Sequence, residues 1–362
     1  MRPIYFNGKF YAAGLNGVHR VADRLIRQCD ELLGAIDPAA RPVVRLLLPE
    51  RRSWQPRLAA ILPIEQKDGH RQLWEQLVLP RRTADGVLVN LANLAPLAHR
   101  RKLMLIHDAQ FLFPDSSYPW RQRMGYRLLV PRMAQGSACV LTVSDYSRQM
   151  LDLLGVAPRA STQLLYNGAD HILEAPADPG TRTHLALAPG SYALLFGSTK
   201  AYKNIRVVLD AFSAGALAPL RLVIVGPDRD MLVGAGLVPP ADAVFAGAVD
   251  DAALRDLYSH AHCLLFPSRT EGFGLPPVEA MLCGCPVVAS PAGAIPEVCR
   301  DAVLYADVDD PASWRDAIAA MADPGHRAAK QEAGHRRAGH FTWARAGKTL
   351  FGHILRLAAE PG

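Results

Sequence analysis

Two patterns of hydrophobic and polar positions alternate along the chain. Short apolar runs have the length and composition of buried strands, and the segments between them carry apolar residues at helical spacing. The predicted strands cover residues 43–48, 87–91, 103–106, 140–143, 192–196, 220–225, 243–245, 263–266 and 286–289. The predicted helices cover residues 18–33, 120–135, 144–154, 207–213 and 252–261, and a long amphipathic helix covers 343–359.

The order of these elements predicts the fold class. Strands that alternate with helices are typical of parallel sheets covered on both faces. The strands form two series, separated at 173–190 by a proline-rich polar segment. We therefore expect an α/β protein with two doubly wound, Rossmann-like domains, 1–172 and 173–342, each binding ligands at strand carboxyl ends. The C-terminal helix, about 343–362, is a candidate to pack back onto the first domain.

Composition adds an expected location and a kind of partner. The first residues lack the features of a signal peptide and no stretch has the apolar length of a membrane span, so we expect a cytoplasmic protein. Residues 1–172 carry 23 Lys and Arg against 14 Asp and Glu, a net charge of +9, whereas 173–362 carry a net charge of −3. This asymmetry fits an anionic partner of the first half, either nucleic acid, anionic lipid or a lipid diphosphate, and equally fits a solvated Arg-rich surface.

Two segments of the first half have candidate chemistry. Residues 14–20, with Gly14 and Gly17, lead from a short strand into a helix, in the manner of a phosphate loop but without its full motif. His107 and Asp108 directly follow the strand 103–106, where an open α/β sheet binds its ligands. A histidine there can donate to a sugar hydroxyl, or it can be a plain loop residue beside a helix-capping aspartate.

The second half has two more such segments. Residues 197–204 follow the strand 192–196 and bring Ser198, Lys200 and Lys203 to the start of a helix that the side chain of Asn204 would cap. This arrangement suits a diphosphate, and it also fits an exposed capping loop with surface lysines. Residues 268–286 place Glu271 in a Gly-Phe-Gly turn and Glu279 in the first turn of a helix that begins near Pro276. The free N–H groups expected at that helix start would also favour a phosphate, with both acids flanking one ligand.

These segments together resemble the retaining glycosyltransferases of family 4. Residues 267–289 are similar to that family's region of two glutamates separated by seven residues, and 14–20 are similar to its glycine loop. The segments 107–108, 142–147, 166–168, 197–204, 245–249 and 295–298 follow in the family's order. The resemblance spans nearly the whole chain and implies the GT-B fold, with two domains facing a central cleft. It implies that the first domain, 1–172, binds the acceptor and that the second, 173–342, binds the nucleotide-sugar. It also implies sugar transfer from a nucleotide-sugar with retained configuration.

The resemblance also implies a role for each candidate residue. Lys203 and the backbone of Gly17 would contact the donor diphosphate, Glu279 the ribose, and Glu271 the sugar near the reacting carbon. Backbone N–H groups of Gly274 and Leu275 would face the sugar or phosphate, His107 would hydrogen-bond the sugar, and Val249 would read the base. Ala201 and Tyr202 replace the family's Pro-Arg, so Lys200 is the candidate for the missing cation. Ser198 completes the phosphate segment.

The resemblance further implies an enzyme without a cofactor or required divalent metal, because the fixed donors would supply the counter-charge to the leaving diphosphate. The expected reaction moves a hexose, with mannose from GDP-mannose as the first choice, to a lipid-linked glycan or saccharide acceptor in cell-surface polysaccharide synthesis. UDP- or dTDP-sugar-dependent transfer of glucose or rhamnose, or nucleotide-sugar epimerisation, are the alternatives. Peripheral contact with the inner membrane through the Arg-rich helix 120–135 is compatible with this function, and the spacing of that helix also fits an ordinary amphipathic core helix. A nucleic-acid partner is not expected.

Overall fold

The computed structural model describes residues 1–113 and 119–360. Its contacts divide the chain into two compact units: unit 1 is Met1–Gly168 with Trp343–Gly362, and unit 2 is Ala169–Thr342. The first boundary therefore follows Gly168 rather than residue 172. The C-terminal helix belongs to unit 1, where it packs against the first long helix of the chain.

The elements alternate as the hydrophobic pattern predicts. The strands are β1 (Ile4–Asn7), β2 (Val44–Pro49), β3 (Leu62–Gln66), β4 (Val87–Asn90), β5 (Lys102–Ile106), β6 (Cys139–Thr142), β7 (Thr162–Leu164), β8 (Tyr192–Phe196), β9 (Arg221–Val225), β10 (Val244–Gly247), β11 (Cys263–Phe266), β12 (Val287–Ala289) and β13 (Leu304–Tyr305). The helices are α1 (Gly17–Gly34), α2 (Leu79–Arg82), α3 (Trp120–Gln135), α4 (Asp145–Leu153), α5 (Gly180–His184), α6 (Ile205–Ala211), α7 (Arg229–Gly234), α8 (Asp251–His260), α9 (Leu275–Leu282), α10 (Ile295–Cys299), α11 (Pro311–Ala320), α12 (Pro324–Ala338) and α13 (Trp343–Ala359).

Each unit is built on one parallel sheet. Across the described residues, the seven-stranded sheet of unit 1 has the order β3-β2-β1-β4-β5-β6-β7, and the six-stranded sheet of unit 2 has the order β10-β9-β8-β11-β12-β13. In both sheets the direction of strand order reverses once, between β1 and β4 in unit 1 and between β8 and β11 in unit 2. Such a switch point opens a crevice at the strand carboxyl ends, which is where open α/β sheets bind ligands. The fold class predicted from the sequence is confirmed.

Apolar side chains explain why the central strands were readable from the sequence. All residues of β4 and β5 are buried, and β8 is buried over Tyr192–Leu195; apart from Asn90 and Lys102 at strand ends, these buried residues form continuous hydrophobic runs. The edge strand β3 escaped prediction, because it contains Pro63 and leaves most of its side chains outside the core. In the part of the chain that the structure describes, no helix is long and apolar enough to cross a membrane.

Candidate functional site

The switch point of unit 2 joins two of the predicted segments. Strands β8 and β11 pair in parallel, with Leu194 opposite Leu264, so the loops after them emerge side by side. The loop after β8 carries Lys203 and the loop after β11 carries Glu271. Their side chains meet: the Nζ of Lys203 donates to the Oε1 of Glu271 over 2.6 Å, although the residues are 68 positions apart. The fold thus assembles a cation and a carboxylate at the crevice.

Aromatic rings border the lysine side chains of this loop. The Nζ of Lys203 lies 5.3 Å from the ring centroid of Tyr202 and 5.6 Å from that of Phe266. The Nζ of Lys200 lies 5.9 Å from the same Tyr202 ring, so both ammonium groups flank one aromatic side chain. Lys200 therefore places its charge near that of Lys203, as a substitute for the missing arginine would require.

The start of the lysine loop is fixed by local contacts. A Cβ on Gly197 would lie 2.8 Å from both Ile224 and Pro227, so the strand end must be glycine to pack there. The Ser198 hydroxyl accepts the backbone N–H of Lys200 over 3.2 Å. That bond turns the chain toward the helix and leaves the hydroxyl proton of Ser198 able to donate to a ligand.

Asn204 has a different task from the expected one. It occupies the N-cap position of α6 in a left-handed conformation with φ 51°, and its side chain makes no capping bond. The Nδ2 instead donates to the carbonyl of Val308 over 2.7 Å, which fastens the lysine loop to another loop of unit 2. The prediction that its side chain caps the helix was wrong, because the left-handed backbone turns the side chain toward Val308.

Two glycines shape the turn that carries Glu271. Gly274 has φ 92°, and a Cβ there would lie 2.5 Å from the Cδ1 of Ile295. Gly293 has φ 63°, and a Cβ there would lie 2.4 Å from the backbone nitrogen of Glu271. Both positions combine a backbone conformation that side chains disfavour with a close neighbour. The glutamate is thus held by its backbone, and its side chain remains available at the crevice.

The helix after this turn offers fewer donors than predicted. Helix α9 begins at Leu275, and the next two residues are Pro276 and Pro277, which have no N–H. Among the first three positions of this helix, Leu275 alone has a backbone N–H. Gly274, directly before the helix, provides a second one. An anion at this helix end would therefore be held by the two predicted backbone groups, rather than by a ring of free N–H groups.

Glu279 lies in the second turn of α9, not in the first turn as predicted, and it points into unit 2. It is 6% exposed, and its carboxylate has two fixed partners. The hydroxyl of Tyr258 lies 3.2 Å from Oε2, and the Nε2 of His171 lies 3.2 Å from Oε1. Burial, and then the adjacent charge of Glu279, raise the pKa of Tyr258 well above its usual value, so this hydroxyl stays a donor.

Sequence reasoning missed both partners of Glu279. Tyr258 is a buried residue of α8 and His171 is a buried residue of a short turn at Asp170–Leu173. Neither stands in a recognisable motif, and a buried tyrosine on an amphipathic helix is indistinguishable from a core residue in a sequence. The three side chains converge only because the two segments pack on α9.

Val249 lies at the same end of the sheet, but farther along it. It is half-buried in the loop between β10 and α8, and β10 is separated from β8 by β9. Gly247, at the end of β10, has φ 65°, and its carbonyl accepts the N–H of Gly226. The loop therefore presents its main chain beside the crevice, which is the form of contact predicted for a base.

The two predicted residues of unit 1 differ in how the fold holds them. Gly17 is the first residue of α1, and the side chain of Asn16 caps this helix by accepting the N–H of His19 over 3.0 Å. Gly17 is exposed, and a Cβ there would meet nothing within 4 Å. Neither backbone conformation nor packing demands glycine at this position. A ligand that approaches the helix end would be the reason for it.

His107 follows β5 and is only 5% exposed. Its Nε2 lies 2.8 Å from the carbonyl of Leu91, so this nitrogen carries the proton and donates, which leaves Nδ1 as an acceptor. Burial lowers the pKa of His107 to about 4. The expectation that His107 donates to a sugar is therefore corrected: at neutral pH its Nδ1 can only accept a hydrogen bond.

The described residues form no group of three or more His, Cys, Asp or Glu side chains that could hold a metal ion. The polar groups of the unit 2 crevice are instead a lysine pair, two carboxylates and backbone N–H groups. This set suits an anion bound next to a polar ring with hydroxyl groups.

The chain is similar to known proteins over most of its length. The model of the family described as glycosyl transferases group 1 matches residues 190–323, which include both loops of the unit 2 crevice. The chain is 33% identical to the O-antigen chain mannosyltransferase B of Escherichia coli over 274 residues, 68% of each chain.

Two further comparisons extend the likeness. A D-inositol 3-phosphate glycosyltransferase of Acidothermus cellulolyticus is 28% identical over 73% of this chain, and the match spans 63% of that relative's length. The crystal structure of the Anabaena protein HepE in complex with UDP-glucose superposes with a TM-score of 0.71 at 18% identity, over 98% of this chain and all of that one. At that identity the superposition shows the shared fold, GT-B.

Proposed function

The chain belongs to the glycosyl transferases group 1, and from that premise we propose that it moves a hexose from a nucleotide-sugar with retention of configuration. The proposed donor is GDP-mannose, and the proposed acceptor is a lipid-linked glycan or saccharide of a cell-surface polysaccharide. The name of the Escherichia coli relative supports mannose, and the UDP-glucose bound to HepE supports a nucleotide-sugar of some kind.

The contact between Lys203 and Glu271 carries this proposal. The two side chains are partly exposed, by 30% and 16%, and each has capacity for a ligand. An ammonium group suits the diphosphate of a donor, and a carboxylate within reach of that ammonium suits the sugar attached to it. A diphosphate at Lys203 would therefore bring the anomeric carbon close to Glu271.

This arrangement accounts for the energetics of bond cleavage. As the glycosidic bond breaks, negative charge grows on the leaving diphosphate and positive charge grows on the sugar ring. Lys203, with the N–H groups of Gly274 and Leu275, would stabilise the negative charge on the diphosphate. Glu271 would stabilise the positive charge on the sugar ring. These groups are already oriented, so little reorganisation is needed. We propose front-side attack by the acceptor hydroxyl, with a covalent intermediate on Glu271 as the competing route.

The remaining roles are part of the same proposal. Glu279, held by Tyr258 and His171, would accept hydrogen bonds from the ribose hydroxyls, because both of its oxygens have lone pairs to spare. Val249 would contact the base through its main chain. Gly17 keeps its predicted role toward the diphosphate, and His107 would accept a hydrogen bond from a donor-sugar hydroxyl through its Nδ1. Because Lys203 supplies counter-charge, we expect EDTA to leave turnover unchanged.

Helix α3 is the proposed contact with the membrane surface. It exposes Trp120 by 70%, Met124 by 50% and Leu128 by 52%, which are unusually large apolar side chains for a solvated face. The same helix carries Arg121, Arg123, Arg127 and Arg132 and no acidic residue. Apolar side chains among arginines suit an anionic lipid surface, where a lipid-linked acceptor would be found.

A donor screen followed by product analysis tests the proposal. Thermal unfolding is measured with GDP-mannose, UDP-glucose, dTDP-rhamnose and ADP-glucose, because a ligand that binds the folded chain raises its midpoint. We expect the largest rise with GDP-mannose, and with a supplied acceptor an α-linked product in the NMR spectrum. A shift with another nucleotide-sugar would replace GDP-mannose, and an inverted anomer would reject the proposed mechanism.

A further inference from the structure

We propose that Asn93 is a positioning residue for the donor sugar, because its side chain fixes the backbone from which His107 projects. This inference rests on the proposed function, in which the Nδ1 of His107 accepts a hydrogen bond from the donor sugar. Asn93 lies in the loop after β4, and His107 directly follows β5. The Oδ1 of Asn93 accepts the backbone N–H of His107 over 2.7 Å. Asn93 would therefore act on the sugar through His107.

The backbone of Asn93 indicates that a side chain is needed at this position. Asn93 has φ 65°, in the left-handed region that glycine adopts without steric cost. Asparagine tolerates this conformation, and in turns its side chain commonly bonds to its own backbone two residues on. Here the bond instead reaches a residue 14 positions along the chain. The side chain thus joins the ends of two strands, at a conformational cost that glycine would avoid.

Asn93 extends the pairing of β4 and β5 beyond their regular register. The last residues that the two strands pair are Asn90 and Met104. Past them, the N–H of Asn93 donates to the carbonyl of Leu105 over 3.2 Å. Its Oδ1 then takes the place of a strand carbonyl by accepting the N–H of His107. Without this oxygen, that N–H would lose its partner at a residue that is only 5% exposed.

The fold holds His107 at two further atoms. Its Nε2 donates to the carbonyl of Leu91 over 2.8 Å, so the ring is tied to the same loop as the backbone. Its carbonyl accepts the hydroxyl of Ser147 over 3.1 Å. Ser147 is itself fixed, because its N–H donates to the Oγ of Ser144, the N-cap residue of α4. Asn93 completes this set at the N–H of His107, and Nδ1 remains as the acceptor for a ligand.

These contacts give His107 one orientation and one tautomer. The bond to the Leu91 carbonyl keeps the proton on Nε2 only while the ring and the carbonyl stay aligned. Loss of the Asn93 oxygen would release the N–H side of the His107 backbone and loosen this alignment. A sugar hydroxyl would then meet Nδ1 at a poorer distance and angle, which weakens the hydrogen bond. The contacts predicted for the diphosphate come from other segments and would be unaffected.

Three variants of the full chain separate the effect of the side chain from that of the backbone conformation. Asn93→Gly removes the oxygen and suits the left-handed backbone, so it introduces no strain. Asn93→Asp keeps an oxygen at the same place and is the conservative variant. Asp68→Gly is the matched control, because Asp68 has φ 58° in the same unit and its side chain forms an exposed pair with Arg71.

Calorimetry measures the Kd of GDP-mannose and of GDP, or of the corresponding pair if the donor screen selects another nucleotide-sugar. For Asn93→Gly we expect the Kd of the nucleotide-sugar to rise about three- to tenfold, as for one neutral hydrogen bond, with the Kd of the nucleoside diphosphate unchanged. In NMR spectra of ¹⁵N-labelled protein, the ring of His107 should change from the single Nε2-protonated form to a mixture of tautomers. Asn93→Asp and Asp68→Gly should resemble the wild type in both measurements.

The same substitution in a His107→Phe background decides whether Asn93 acts through the histidine. Phenylalanine keeps an aromatic ring but has no nitrogen, so adding Asn93→Gly should cause no further loss of nucleotide-sugar affinity. Additive losses, an unchanged His107 ring signal in Asn93→Gly, or an equal rise of both Kd values would each overturn the inference. If the wild-type chain binds no nucleotide-sugar, the proposed function fails, and the ring signal still decides whether Asn93 positions His107.

Discussion

The two switch points are built in different ways on the same kind of sheet. In unit 2 the predicted ligand groups come from two short, glycine-containing loops, with Lys203 and Glu271 in contact at their meeting point. In unit 1 a cavity of about 450 Å³ at the ends of β1 and β4 takes its polar groups from several distant segments. There the Nδ2 of Asn7 donates to both the Oε1 of Glu75 and the Oδ1 of Asn90.

This difference decides how much a sequence can reveal. A diphosphate presents the same charge and oxygen geometry in every nucleotide-sugar, so a lysine, glycine turns and backbone N–H groups within short segments are sufficient for it. Side chains that meet from distant segments stand in no common motif. The site in unit 2 is therefore visible in a sequence, and the cavity in unit 1 is visible only in a structure.

The largest expected effect comes from the removal of the Glu271 carboxylate in unit 2. Glu271→Ala should lower kcat by about 10²- to 10³-fold, because it removes a fixed charge that stabilises the transition state. Nucleoside diphosphate affinity should stay the same or improve, since Lys203 loses its competing partner. Initial rates and calorimetry check this, with Glu332→Ala on exposed α12 as the control; near wild-type turnover would refute the role of Glu271.

The next effect concerns His107 of unit 1 and the pH dependence of protein stability. The pKa of His107 is about 4 in the folded chain against an ordinary value of 6.5, so between these values the unfolded chain binds the additional proton. The free energy of unfolding should therefore fall as the pH drops from 6.5 to 4, by up to about 3 kcal/mol from this residue.

The matched variant is His107→Gln, which keeps a possible donor for the Leu91 carbonyl but does not titrate. Urea unfolding of both proteins between pH 4 and pH 7 measures the difference. The gap in stability between variant and wild type should change across this range and level off above pH 7. Parallel pH profiles would show that His107 titrates normally.

A pair of glycine substitutions compares the two units directly. Gly274→Ala should lower the stability of unit 2 by about 1–3 kcal/mol, because the left-handed backbone and the contact with Ile295 both oppose a Cβ. Gly17→Ala should leave the melting temperature unchanged, since its Cβ meets nothing, but should weaken nucleotide-sugar binding. Equal thermal shifts for the two variants, or full donor affinity in Gly17→Ala, would contradict this distinction.

The smallest effect refines the role of the second acid. Tyr258→Phe removes only the hydroxyl that donates to Glu279. The Glu279 carboxylate then loses one of the hydrogen bonds that orient it. We expect a several-fold rise in the KM for the nucleotide-sugar with kcat almost unchanged, and no further rise when Tyr258→Phe is added to Glu279→Ala. A fall in kcat at constant KM would mean that Tyr258 does not act through Glu279.

The sequence predicted the parts of the molecule that depend on local pattern. The buried runs at β8 and β11 were found with their observed bounds, because a fully buried strand has no polar position to blur its ends. The start of α9 was predicted to within one residue, but the inward direction of Glu279 was not found, since it depends on packing against α8. Partners of Glu279 that are distant in the sequence, such as His171 and Tyr258, cannot be recognised from a local sequence pattern.

The central claim is that Lys203 holds the donor diphosphate, and a calorimetric titration with nucleoside diphosphate tests it most directly. Wild type, Lys203→Ala, Lys200→Ala and the double variant Lys203→Ala with Glu271→Ala are compared. The account predicts that Lys203→Ala raises the Kd by about 10- to 100-fold, that Lys200→Ala has a smaller effect, and that the double variant recovers part of the loss because the unpaired carboxylate is gone. A Kd for Lys203→Ala equal to that of the wild type would contradict the account.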